Sequence, residues 1–96
     1  MPSDADDAFF ERADAHIKLS NDQLSEVTLG KVSASTLYGA SRFNAWVVAS
    51  GFGSGSEMEQ GKPEALKYFV DEYTKMLEEN IDDYIANFDE YMKPPH

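Results

Sequence analysis

The sequence contains no cysteine, and this absence removes several functions at once. Without thiols the chain has no disulfide bond, no thiolate metal ligand and no cysteine nucleophile. Histidine is nearly absent too, since His16 and His96 are the only two and neither has the H-x-x-E or E-x-x-H spacing of a zinc-binding helix. We therefore expect no cofactor and no metal site, and we expect that the protein is not an enzyme.

Basic residues are also few, with 8 Lys and Arg against 18 Asp and Glu and a formal net charge of −10 at pH 7. Nucleic-acid affinity comes largely from cationic contacts to phosphates, so this balance predicts no binding to DNA or RNA. It disfavours anionic membrane surfaces for the same reason. Such an excess of acid is typical of a solubilising surface. A protein that mimics nucleic acid is the remote alternative.

Long apolar runs are missing. The longest is Ala45–Ala49, far short of the ~20 residues that cross a bilayer. The N-terminal residues MPSDADDAFF are acidic, whereas a signal peptide begins basic and continues apolar. These two features predict a cytoplasmic protein with no membrane partner.

Apolar periodicity predicts an all-α fold, an antiparallel three-helix arrangement within a single domain spanning 1–96. The first helix, 4–24, begins with Ser3 as a capping residue. The second, 32–50, is apolar all round and so is expected to be buried on several sides, with Gly39 at a close helix contact. The third, 63–92, begins at Pro63, because proline suits the first helical position.

The third helix carries apolar residues at steps of three and four, the pattern of an amphipathic helix. These residues are Leu66, Phe69, Val70, Tyr73, Leu77, Ile81, Tyr84, Phe88 and Tyr91. A continuous helix here would be about 45 Å long, longer than the ~32 Å diameter of a compact chain of this size. Either the helix breaks at Asn80 or a partner covers its end. The pattern keeps its phase through Asn80, so we expect a homo-oligomer, most simply a dimer, with a different protein as the alternative partner.

The segment 51–61 is rich in glycine and serine, which raises the question of a phosphate-binding loop. A Walker loop places four residues between its first glycine and the Gly-Lys pair, followed by a hydroxyl residue. Here five residues separate Gly55 from Gly61, and Pro63 takes the place of the hydroxyl. We interpret 51–61 as a linker between helices.

One group of residues could form a binding site. Tyr38, Arg42 and Trp46 are four residues apart and share a helical face, with Arg42 between two aromatic rings. One interpretation is a pocket for an anion or carboxylate. The favoured one is a structural arginine that pairs with an acid of its own chain or of a second copy, because a buried unpaired charge is very costly. The acids considered are Glu11, Asp14 and Asp71.

Three stretches carry a resemblance to a known family: FFERADAHIKLSND, KVSASTLYGASRFNAWVVAS and YFVDEYTKMLEENIDDY. They resemble a family of short, acidic, uncharacterised bacterial proteins known as a domain of unknown function. The resemblance implies a small helical cytoplasmic protein and brings no activity, ligand or catalytic residue with it.

Taken with the helical pattern, these features favour a non-enzymatic interaction or regulatory module that self-associates. The alternative is a small-molecule binding protein that uses Tyr38, Arg42 and Trp46.

Overall fold

The computed structural model describes residues 6–93, and within this range the chain forms four α-helices and no strand. These are α1 (Phe9–Gln23), α2 (Leu29–Ala49), α3 (Gly55–Ala86) and α4 (Phe88–Met92). The predicted all-α class is confirmed. The chain divides into two compact units, residues up to Gly55 and residues from Ser56, so the first unit holds α1 and α2 and the second α3 and α4. The single domain stays a prediction.

Helix α1 begins at Phe9 rather than at residue 4. Asp6 lies just outside it, where its carbonyl oxygen accepts a hydrogen bond from the Phe9 amide at 3.0 Å and its carboxylate pairs with Arg12 at 2.8 Å. The hydrogen bond from Arg12 lowers the pKa of Asp6, since it favours the charged carboxylate. The predicted Ser3 cap lies outside the described residues.

Helix α2 packs against α1 within the first unit. At this contact the side-chain hydroxyls of Ser20 and Thr36 are hydrogen-bonded at 3.0 Å, and Val32 is only 5% exposed, the one buried apolar side chain in 6–93. Within the first unit α2 is not buried on several sides, because Val32 is its one buried residue there. The close packing expected at Gly39 is likewise absent within the first unit, since no atom other than those of its chain neighbours and its own helix backbone lies within 4 Å of a Cβ built there.

Helix α3 begins at Gly55, eight residues before Pro63. The predicted linker 51–61 is therefore wrong over 55–61. Helix-forming residues such as Glu57, Met58 and Gln60 occupy this turn, and Glu57 adds a favourable charge at the positive end of the helix. Pro63 consequently lies inside the helix, where it cannot donate a backbone hydrogen bond.

The helix then runs unbroken through Asn80, whose side-chain amide donates to the Met76 carbonyl at 2.8 Å. Its 32 residues correspond to about 48 Å. The predicted single helix over 63–92 breaks instead at Asn87, with φ −118° and ψ 27°. At this break the Asn87 side chain donates to both the carbonyl and the carboxylate of Asp83, and the same carbonyl also accepts a hydrogen bond from the Asn87 backbone amide at 3.0 Å.

Candidate functional site

The three residues of the predicted binding site lie on the solvent side of α2. Tyr38 is 67% exposed and Trp46 is 66% exposed, and Arg42 between them is exposed as well. Among residues 6–93, Arg42 makes no ion pair and no hydrogen bond. The expected pairing with Glu11 or Asp14 is therefore wrong within the first unit, whereas pairing with Asp71 stays a prediction. Pairing with a second copy stays a prediction.

An aromatic contact on α2 was not foreseen in the sequence. The rings of Phe43 and Trp46 stack with their centroids 5.9 Å apart and an interplanar angle of 28°. The i, i+3 spacing of these two residues is the signal that predicts such a contact. Phe43 is itself exposed, so the aromatic groups of α2 form a surface patch beside an unpaired cation.

A longer apolar surface follows the second unit. We call it the stripe, and all of its members are between 42% and 59% exposed: Leu66, Val70, Tyr73, Leu77, Ile81, Tyr84, Phe88 and Tyr91. The six on α3 fall within an arc of about 80°, at ~100° of rotation per residue. The stripe is therefore a narrow line of large side chains along most of the second unit, exposed within that unit.

Phe69, which the sequence assigned to the same line, belongs to another face of α3. It is half-buried, together with Met58, Gly61, Ala65, Glu72 and Met76. These residues are centred about 110° around the helix from the stripe, at ~100° per residue. Helix α3 thus presents a half-buried face and, separately, the exposed stripe.

The end of the stripe is held in place by a tyrosine. The Tyr91 hydroxyl donates to the Asp83 carboxylate at 3.1 Å, and the Tyr91 ring meets Tyr84 edge-on with centroids 4.8 Å apart. The hydrogen bond to Asp83 raises the pKa of Tyr91, because ionisation would place a phenolate beside a carboxylate. These contacts join α4 to α3 and carry the stripe past the break at Asn87.

Charge is unevenly distributed along this unit. The part from 55 to 75 has three lysines, of which Lys67 pairs with Asp71 at 2.6 Å and Lys75 with Glu72 at 3.7 Å. The hydrogen bond to Asp71 raises the pKa of Lys67. We call 76–92 the acidic segment, because it contains no basic residue and carries Glu78, Glu79, Asp82, Asp83, Asp89 and Glu90.

In 6–93, no three His, Cys, Asp or Glu side chains are grouped so that they could hold a metal ion. Over the same range, none of the helices combines the length and the apolarity that a membrane crossing requires.

Comparison with known proteins places the chain in a family. The model of the family described as "Protein of unknown function (DUF3144)" matches residues 9–85, so the chain belongs to this family, and the resemblance seen in the sequence is confirmed. No curated protein matches it. The NMR structure of the protein NB7890A from Shewanella sp is similar, with 41% identity over 93% of this chain and 95% of that one and a TM-score of 0.76. This likeness confirms the helical fold.

Proposed function

We propose that the protein is a non-enzymatic interaction module that self-associates through the stripe. One observation carries the proposal: eight large apolar side chains lie in a line along α3 and α4, and each is about half exposed. Most of the stability of a helix in water comes from packing its apolar face. A contiguous apolar surface of this kind marks an interaction site on a soluble domain.

The size of the stripe fits a protein–protein interface. With roughly 90 Å² exposed on each side chain, about half of what a large apolar residue buries in a core, the stripe offers about 700 Å² per copy. Two stripes packed together would bury about 1,400 Å², within the ~1,200–2,000 Å² of stable specific interfaces. A second copy supplies the same line of side chains, as the self-complementary interface of a two-fold dimer requires.

The mass of the protein in solution tests this proposal. Light scattering on a size-exclusion column should give about 21 kDa, twice the 10.7 kDa of the chain, at high micromolar concentration. Dilution should shift the mass towards that of one chain, since association obeys mass action. A mass of one chain at high micromolar concentration would reject self-association.

A second candidate function rests on Arg42, which lies unpaired between two exposed aromatic residues of α2. A guanidinium beside aromatic rings suits a carboxylate or another anion. This candidate ranks lower, because small-molecule sites enclose most of their ligand, whereas Tyr38 and Trp46 are two-thirds exposed.

The test for this second candidate is an NMR titration with benzoate as the probe. Saturable shifts centred on Trp46, lost in Arg42→Ala, would support an anion site there. An unchanged spectrum at millimolar benzoate would reject carboxylate binding at this face.

A further inference from the structure

The direction in which two stripes pair can be read from the charges beside them. The acidic segment carries six carboxylates and no cation, whereas 55–75 carries five carboxylates and the three lysines Lys62, Lys67 and Lys75. Two parallel helices in register would place one acidic segment against the other. Two antiparallel helices would place each acidic segment against the part that contains the lysines. Both parts are net negative, but the repulsion between unlike parts is weaker than that between two acidic segments, so the charges favour the antiparallel arrangement.

The helix dipoles favour the same direction. The acidic segment lies at the C-terminal end of α3 and on α4, where the partial charge of α3 is negative. A parallel pair would bring two such ends together and add to the repulsion between carboxylates. An antiparallel pair keeps the two negative ends apart.

We propose that two copies pair antiparallel along the stripe, with the two-fold axis passing near Glu78 and Glu79. This inference rests on the proposed self-association and specifies the geometry of the same surface. The partner is a second copy of this chain. Its acidic segment runs beside residues 65–81 of the first copy, where Lys67 is the lysine on the flank of the stripe.

The spacing of the stripe fits this register. An axis between residues 78 and 79 sets Leu66 opposite Tyr91 of the partner subunit. Each further residue of the stripe then lies opposite another stripe residue of the partner. The remaining opposed positions are 70 with 88, 73 with 84, and 77 with 81. All eight apolar positions are matched to within one residue. A shift by one helical turn in either direction would leave stripe residues at both ends facing solvent.

Introduced cysteines make this geometry measurable, because the chain has none of its own. Glu78→Cys and Lys67→Cys lie on the same flank of the stripe, and each can carry one nitroxide label. In the antiparallel pair the two labels at 78 are close together near the axis. The two labels at 67 are separated along the helices by about 23 residues, or about 35 Å. In a parallel pair both variants give similarly short distances.

Pulsed electron–electron double resonance on these dimers decides between the two directions. A short distance at 78 with a distance near 35 Å at 67 supports the proposal, whereas short distances at both positions overturn it and leave self-association standing. Light scattering on the unlabelled protein is the separate test of self-association. If the wild-type chain is monomeric there, the proposed function fails, and the pairing direction fails with it.

Discussion

Replacing Tyr73 by alanine should weaken the dimer by a predictable amount. Tyr73 is 47% exposed in the single chain, so of the ~200 Å² of a tyrosine about 90 Å² would be buried by a partner. At ~25 cal/mol per Å² this is about 2 kcal/mol. The residue occurs twice in a two-fold interface, so the free energy of association should become less favourable by about 4 kcal/mol. The dissociation constant should rise about 1,000-fold, at ~1.4 kcal/mol per factor of ten.

The chain offers a matched control in Tyr68. It lies on the same helix and is 48% exposed, but it is about 140° around α3 from Tyr73, at ~100° per residue. Tyr68 contacts the ring of Phe69 at 5.1 Å, so its removal can lower folding stability while the stripe stays intact. The readout is therefore the dissociation constant, measured by sedimentation equilibrium for wild type, Tyr73→Ala and Tyr68→Ala. Equal weakening in both variants, or none in Tyr73→Ala, would refute the assignment of the interface to the stripe.

Two further substitutions test other features of the fold. Gly39→Ala should raise the free energy of unfolding by up to about 1 kcal/mol in urea titrations, because alanine favours helix and its Cβ meets no atom; destabilisation would indicate that another helix packs there. Arg42→Ala should change the stability by no more than about 0.5 kcal/mol, as expected of an exposed residue without a partner. A loss above ~2 kcal/mol would instead indicate that Arg42 pairs with a carboxylate of a second copy.

Most of the helical content could be predicted from apolar periodicity, because a long pattern with apolar residues at steps of three and four fits an α-helix and no other regular structure. The passage of α3 through Asn80 follows directly from the unchanged phase of the stripe. The start of α3 was misplaced because Pro63 has a strong preference for a first turn. The residues before it have only moderate helix propensities, yet together they extend the helix back to Gly55.

The break at Asn87 was missed for a different reason. It coincides with hydrogen bonds from the Asn87 side chain and from the Tyr91 hydroxyl to the Asp83 carboxylate. Each of these residues also fits a continuous helix when judged by spacing alone. A local side-chain network of this kind competes with the helix in a way that periodicity does not register.

For the candidate site on α2, residue spacing predicts which side chains share a helical face but not what packs against that face. The intervals of four place Tyr38, Arg42 and Trp46 on one face, as the structure has them. Spacing does not say what lies against that face, and the expectation that Arg42 meets a carboxylate assumed a surrounding core. Val32 is the one buried residue of α2, so the paired arginine was inferred from a burial that the first unit does not provide.

Contacts between copies can be observed directly by NMR. A dimer formed from equal amounts of ¹³C-labelled and unlabelled chain would be studied at high micromolar concentration with an isotope-filtered NOE experiment, which detects only protons of different copies. The proposed interface predicts cross-peaks between the methyl groups of Leu77 and Ile81 and the aromatic protons of Tyr73 and Tyr84. If this sample gives no cross-peaks from the stripe, or gives them only from α2, the stripe is not the surface through which the protein self-associates.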